Sequence, residues 1–205
     1  MPEPLPQIPR AAQAVKRLLD IGASLSGLLL TGWIIVLAAL VARLETGEPG
    51  IFVQSRIGRH GRPFDLYKIR TMNSAAGKAT TVTTRDDPRI TRSGRFFRRT
   101  RIDELPQLYN VLVGEMSLVG PRPDVAGFAD RLEGAERAIL SLRPGITGPA
   151  TLAFRDEEAL LAGVGDPEAY NRDVVYPEKV RINLDYIRHY SLRNDLRYIF
   201  RTLFG

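Results

Sequence analysis

Ile102–Pro123 reads IDELPQLYNVLVGEMSLVGPRP, and the rest of the chain is best read outward from it. It opens on two adjacent carboxylates, Asp103 and Glu104, and runs apolar at helical spacing through Leu105, Leu108, Tyr109 and Leu112. It closes on Gly120-Pro121-Arg122-Pro123, where two prolines stiffen the backbone around one guanidinium. The spacing predicts a helix with Asp103 as N-cap, Pro106 in the first turn, where a missing N–H costs little, and Gly114 as its stop. A carboxylate at that end faces the positive pole of the helix dipole. This favours the ionised form that a nucleophile or a Mg²⁺ ligand must have. Neighbouring helical residues project about 100° apart, so Asp103 and Glu104 take different jobs. An acidic cap with a solvated neighbour explains the same two residues without any chemistry, so the pair alone does not define a site.

The chain has 205 residues, enough for one domain with a real core. It has no cysteine, which excludes a disulfide framework and a thiolate metal site, and its 2 histidines are too few for a histidine-built one. Any metal is therefore a hard, oxygen-bound ion, Mg²⁺ or Mn²⁺. The net charge of +6 is uneven. Ser55–Arg101 carries 13 Lys/Arg against 3 Asp/Glu, an excess of +10, and the remainder sums to −4. Such a block suits phosphates, whether of nucleic acid, anionic lipid or a phosphorylated substrate; a solvated arginine-rich face is the plainer reading.

Met1–Pro9 reads as an extended lead, and a helix starts at Ala11. Ile21–Ala42 is 22 residues without a charge, long enough for a hydrocarbon core that needs roughly 20. Residue physics alone favours a plain transmembrane helix. Basic flanks on both sides (Lys16 and Arg17, then Arg43 and Arg56), with Thr31-Gly32 in mid-run, suit a re-entrant hairpin broken at that dipeptide. Ile51–Gln54 and Phe64–Ile69 form a β-hairpin across a basic turn bracketed by Gly58 and Gly61. Asn73–Pro88 is a polar, mobile loop. Ile90–Arg101 interleaves Phe96 and Phe97 with five arginines. It suits a helix on a membrane surface or a helix packing both rings into the core. Asp124–Leu142 reads as an amphipathic helix or pair, and Arg143–Gly148 (RPGITG) as a tight turn whose backbone N–H groups can approach an anion. A short segment and a helix fill Thr151–Val164, a loop Gly165–Pro177, and a helix Glu178–Phe204 with Leu196, Ile199, Phe200 and Leu203 on one face and Arg193, Arg197 and Arg201 stacked beside it.

Taken in order, VKRLLDI, the apolar run, FVQSRIG, YKIRTM, GRFFRRTRIDELPQLYNVLVGEMSLVGPRP, RPGITG and YSLRNDL resemble the small monotopic phosphoglycosyl transferases of the PglC type, bacterial sugar transferases. The resemblance covers about Val15 to Thr202. It implies a mostly helical α/β fold with a re-entrant membrane helix, interfacial helices and a small β-hairpin or sheet around the active site. Residues 1–45 are then the lead and membrane helix, and 46–205 a cytoplasmic catalytic domain at the membrane surface. The implied reaction moves a phosphosugar from a UDP-sugar to a polyprenol phosphate, undecaprenyl phosphate as a rule. It releases UMP, uses Mg²⁺, and takes place at the cytoplasmic face of the bacterial inner membrane. Asp103 corresponds to the family's nucleophile and, by the same resemblance, stands at the metal; Glu104 completes the dyad. The partners are the UDP-sugar, the polyprenol phosphate and membrane lipid, with no nucleic acid; a homodimer is left open.

Residue chemistry adds binding candidates. Arg122, held between Pro121 and Pro123, can fork onto phosphate oxygens, and Arg98 can face the same site. Lys68 and Arg70 on the second strand are further phosphate candidates or a solvated strand face. Gly145 and Thr147 of RPGITG are expected in the nucleotide or sugar pocket. Two departures stand out: Thr31-Gly32 replaces the family's usual Ser-Pro, and Pro149-Ala150-Thr151 follows RPGITG where Leu-Ala-Gln is common. The sugar is therefore not carried over. The competing class is a membrane-anchored basic module that binds anionic lipid or nucleic acid. It accounts for the charge and the apolar run but not for Asp-Glu, Gly-Pro-Arg-Pro and RPGITG occurring together.

Overall fold

The computed structural model describes residues 8–74, 83–84 and 87–205. The extended lead expected over Met1–Pro9 and the loop expected over Asn73–Pro88 lie largely outside these residues. A mostly helical chain carries two small two-stranded sheets. Helix α1 (Arg10–Thr46) runs unbroken for 37 residues and ends on Gly47 in the left-handed conformation, φ 73°. The helix continues through Thr31-Gly32, where the interruption was expected. The Thr31 hydroxyl donates to the Gly27 carbonyl at 2.7 Å, a back-bond of the kind that bends helices.

One stripe of α1, through Asp20, Ser24, Ala38 and Ala42, is buried against the body. The opposite stripe, including Leu29, Leu30, Trp33, Val36 and Leu44, is exposed and apolar. Both ends of the helix are tied to the same body. Near its start, Arg17 donates to the Val111 and Leu112 carbonyls (2.6 and 2.8 Å), and Asp20 accepts from the Leu118 amide at 3.0 Å. Near its end, Glu45 accepts from the Arg92 and Ser93 amides. A carboxylate at a helix start and a guanidinium at a helix end satisfy backbone groups that have no partner inside the helix. The apolar stretch thus spans between two anchors on one body, and by length and composition it is able to cross a membrane.

Strands β1 (Ile51–Ile57) and β2 (Pro63–Ile69) pair antiparallel as the expected hairpin. Its basic turn puts His60 at φ 61° and Gly61 at φ 76°. Helix α2 (Arg92–Thr100) divides its two rings: Phe97 is buried in a cluster with Ala38, Ala42 and Ile69, whereas Phe96 is exposed. Core packing therefore holds for Phe97 and not for Phe96.

Helix α3 (Gln107–Val113) begins later than the sequence suggests. Asp103 is not its cap; Asp103 and Glu104 sit in a separate 3-10 turn, Ile102–Glu104. The stop at Gly114 is as expected, at φ 93°. The buried face is Gln107, Asn110 and Val111, and Tyr109 is exposed. Asn110 binds α3 to the hairpin: its Nδ2 donates to the Asp65 carbonyl and to Glu115 Oε2, both at 2.7 Å, and its Oδ1 accepts from the Tyr67 amide at 3.2 Å.

Strands β3 (Ser117–Val119) and β4 (Gly145–Thr147) pair parallel. RPGITG is therefore largely a strand, not a free anion-binding turn. Between them, Asp124–Leu142 forms no helix pair but two short 3-10 turns, Ala129–Arg131 and Glu136–Ser141. Gly127 and Gly134 adopt φ 100° and 53° and interrupt the amphipathic pattern.

Short helices α4 (Pro149–Ala153) and α5 (Glu157–Ala162) follow. The loop expected over Gly165–Pro177 is helical instead. Asp166 caps α6 (Pro167–Tyr170), a π turn covers Asn171–Val175, and α7 (Tyr176–Arg188) continues from it. Pro177 has no N–H for the α-helical bond, so the ladder slips register just before it. The last expected helix is divided in two, because Ser191 caps α8 (Leu192–Phe204) afresh through the Asn194 amide. On α8 Leu196, Phe200 and Leu203 are exposed, while Asp195 is buried between Lys16 (2.7 Å) and the Tyr186 hydroxyl (2.6 Å).

Candidate active site

A cavity of about 740 Å³ lies between α2, the 3-10 turn, the 121–124 loop, α4 and α7. Arg101 sets up the edge that carries the Asp-Glu pair. It closes α2 at φ 59°, a left-handed conformation uncommon outside glycine, and reverses the chain into the Ile102–Glu104 turn. The two carboxylates thereby point into the body and are both buried.

Their environments differ. Glu104 accepts from Arg122 Nη2 at 2.5 Å and faces Arg101 at 3.6 Å. Although burial opposes ionisation, Arg122, Lys68 and Arg101 prevail and hold its pKa down to about 2. Asp103 has no such partner; its Oδ1 is buried without a hydrogen bond. Burial, with the Glu104 charge beside it, pushes its pKa up to about 6 against the pull of Lys68, Arg98 and Arg122. The expectation that a helix end favours the ionised form of Asp103 is corrected in the direction of the shift: the residue lies in the 3-10 turn before the helix, and desolvation dominates. It is still mostly ionised at neutral pH.

Among the expected site residues, Asp103, Glu104, Lys68, Arg98, Pro121 and Arg122 all line this cavity. Burial and the neighbouring Arg122 lower the Lys68 pKa to about 8. Arg98 is engaged at the rim, donating to Thr71 Oγ1 (3.1 Å) and Glu158 (2.7 Å). Arg70 stands elsewhere: it pairs with Glu48 at 2.7 Å, donates to the Pro49 carbonyl and stacks on Phe52. Gly145 and Thr147 do not line the cavity but support it from behind. The Gly145 amide donates to the Pro121 carbonyl at 2.7 Å, and the Thr147 carbonyl accepts from the Gly120 amide at 2.9 Å. A Cβ on Gly145 would stand 2.1 Å from the Gly120 nitrogen, so only glycine permits this approach. RPGITG thus braces the Gly-Pro-Arg-Pro turn that presents Arg122.

Further residues line the cavity or stand beside it. Arg56 on β1 is half-buried beside the cavity, and desolvation and Arg122 lower its pKa to about 10; it donates to the Pro123 carbonyl at 3.2 Å. Asp124 follows the Gly-Pro-Arg-Pro turn directly, and burial raises its pKa to about 6. Thr151, Tyr176, Lys179 and Asn183 come from α4 and α7. Asp124, adjacent to Gly-Pro-Arg-Pro, and Thr151, in the departure that follows RPGITG, had a local signal; Tyr176, Lys179 and Asn183 had none.

Among the described residues, no three carboxylate or imidazole side chains gather as a metal cluster. Mg²⁺ does not need one, since it binds through one or two carboxylates plus substrate phosphates. The unpartnered, hard Oδ1 of Asp103, facing a cavity edged by cations, fits that donor set.

A carboxylate with an unpartnered oxygen, on a cavity that Lys68, Arg98 and Arg122 also line, is an arrangement suited to phosphate chemistry. The chain belongs to the bacterial sugar transferase family, whose sequence model matches residues 11–205. Three relatives illustrate its range. UDP-glucose:undecaprenyl-phosphate glucose-1-phosphate transferase of Caulobacter vibrioides is 37% identical over 204 residues, covering 98% of this chain and 72% of its own. Galactosyl transferase CpsE of Streptococcus agalactiae is 37% identical over 92% of this chain and 41% of its own. UDP-glucose:undecaprenyl-phosphate glucose-1-phosphate transferase of Escherichia coli is 35% identical over 93% of this chain and 39% of its own. This chain therefore spans about two fifths of the length of the last two relatives.

Proposed function

We propose that this chain transfers a phosphosugar from a UDP-sugar to undecaprenyl phosphate, releasing UMP, as an initiating step of bacterial glycan assembly. The observation that carries the reading is the unpartnered Asp103 carboxylate in a cavity edged by Lys68, Arg98 and Arg122. An Asp103 oxygen attacks the sugar-linked phosphorus. The new P–O bond makes an acyl phosphate, and the bond to the UMP oxygen breaks, with UMP leaving with the electron pair. A phosphate oxygen of the acceptor lipid then attacks the same phosphorus, and Asp103 departs as carboxylate. Arg122 and Lys68 hold phosphate oxygens and offset the charge that develops on them. Glu104 keeps Arg122 charged and aimed. Mg²⁺, held at Asp103 with the substrate phosphates, would supply further neutralisation of the diphosphate.

The acceptor is a lipid and the donor is water-soluble, so the site belongs at a membrane surface on the cytoplasmic side. Anchoring of both ends of α1 on one body supports a helix that enters the bilayer and returns, with its exposed apolar stripe in lipid. Exposed Phe96, Leu196, Phe200 and Leu203 suit contact with the same interface. The test is UMP release from a panel of UDP-sugars with undecaprenyl phosphate and Mg²⁺. No release from any donor would defeat the reading.

A further inference from the structure

The cavity has a second wall, remote in sequence from the Asp-Glu pair, which the chemistry above leaves unused. Asn183 on α7 is 5% exposed, and its Oδ1 is buried without a hydrogen bond. Thr151 Oγ1 on α4 is likewise buried without one. Both residues line the same cavity, as do Tyr176 and Asp124. A buried polar atom left without a partner costs about 1–3 kcal/mol, and folded proteins retain such atoms chiefly where something else satisfies them. Two of them, on residues of adjoining helices that line one cavity, give that wall unused hydrogen-bonding capacity.

The charges on this wall indicate what kind of ligand it takes. At the Asp103 end the cavity offers Lys68 and Arg122 to an anion. At this end Lys179 is already neutralised by Glu157 at 2.6 and 2.7 Å and rests over the Phe154 ring at 5.6 Å, and the Arg155 guanidinium is engaged by the Arg201 and Gly205 carbonyls. Asp124 adds a carboxyl that burial drives toward its neutral form, with the Tyr176 hydroxyl beside it. Hydroxyl, amide and weak-acid groups around a half-neutral pocket match an uncharged ligand with its own hydroxyl or amide groups, not a phosphate. Asp124 lies two residues beyond Arg122, so the wall begins next to the group that holds the transferred phosphate. The moiety attached directly to that phosphate is the sugar; the uridine lies one phosphate further away.

We infer that Thr151 and Asn183, with Tyr176 and Asp124 beside them, read the hydroxyl and amide substituents of the transferred sugar and set which UDP-sugar this chain accepts. The inference rests on the transferase reading above. A site built to hydrogen-bond a substituent discriminates strongly against analogues that lack or invert it, because its own polar groups are then left unpaired.

The test is kcat/KM for UMP release from UDP-glucose, UDP-galactose, UDP-N-acetylglucosamine and UDP-N-acetylgalactosamine, with inhibition by UMP measured alongside. Thr151→Val keeps the side-chain shape and loses only the hydroxyl; Asn183→Leu keeps most of the volume. The best wild-type donor should lose about 10-fold with Thr151→Val, one hydrogen bond's worth at about 1.4 kcal/mol per decade, and more with Asn183→Leu. Poorer donors should lose less, so that the panel becomes level. UMP inhibition should be unchanged, which also shows that the variants are folded. Equal losses on every donor, or UMP inhibition weakened in parallel, would overturn the inference, the last by assigning the wall to uridine. A wild-type chain silent on all donors would instead defeat the transferase reading, and this inference with it.

Discussion

Replacing Asp103 by Asn should stop turnover and at the same time stabilise the fold. The carboxyl is 8% exposed, lacks a hydrogen bond at Oδ1, and lies beside the ionised Glu104. Its pKa is raised from 3.8 to about 6. A raised folded-state pKa means a stability contribution that is present below the unfolded pKa and lost as pH rises through the folded one. About two pKa units at 1.36 kcal/mol each give a penalty approaching 3 kcal/mol at pH 7.5, and only about 1 kcal/mol at pH 4.5, where the group is largely protonated when folded. Asn mimics the neutral acid and escapes this penalty. The variant should therefore melt several degrees above wild type at pH 7.5, at roughly 2–4 °C per kcal/mol, with the gap shrinking toward pH 4.5. Paired thermal unfolding curves in the same detergent at the two pH values measure it. Intact mass after exposure to UDP-sugar without acceptor should show an adduct on wild type alone. A gap that is absent, reversed or independent of pH would refute the electrostatic account. Full turnover in Asp103→Asn would refute the nucleophile.

Other expectations follow from the same geometry. Arg122→Lys keeps the charge but loses the planar fork that serves Glu104 and phosphate together, so kcat/KM should fall at least 100-fold, about 2.7 kcal/mol; wild-type turnover would reduce Arg122 to a general charge. Gly145→Ala puts a methyl group 2.1 Å from the Gly120 nitrogen. Losses of both melting temperature and activity are expected, and an unchanged enzyme would mean that the Gly-Pro-Arg-Pro turn is not braced by β4. Chelation with EDTA should abolish turnover and Mg²⁺ should restore it; persistence of activity would exclude the metal. Single cysteines in this cysteine-free chain at Gln13 and Pro49, labelled in intact cells with an impermeant reagent, should both be protected and should both react once the cells are permeabilised. Labelling of one in intact cells would make α1 an ordinary span.

Features carried by short, contiguous signals were legible without coordinates. The apolar run of α1, the hairpin, the stop at Gly114 and the Asp-Glu and Gly-Pro-Arg-Pro motifs each depend on neighbours a few residues away, where periodicity and φ preferences act directly. So do the cations of the phosphate end, Lys68, Arg98 and Arg122. What local pattern could not decide was pairing across distance. RPGITG looks like a turn because it is rich in glycine, but its glycine serves a parallel strand contact with Gly120, 25 residues earlier in the chain. Gly165–Pro177 looks like a loop because Pro177 falls in it, yet the helix absorbs that proline by slipping into a π turn. The Asp103 charge state was argued from a helix end, and tertiary burial beside Glu104 reversed the sign of the shift. Thr151 was marked only by the departure that follows RPGITG, and Tyr176 and Asn183 carried no motif at all. They line the same cavity as the Asp-Glu pair because α4 and α7 pack beside it, a juxtaposition set by packing of elements far apart in sequence.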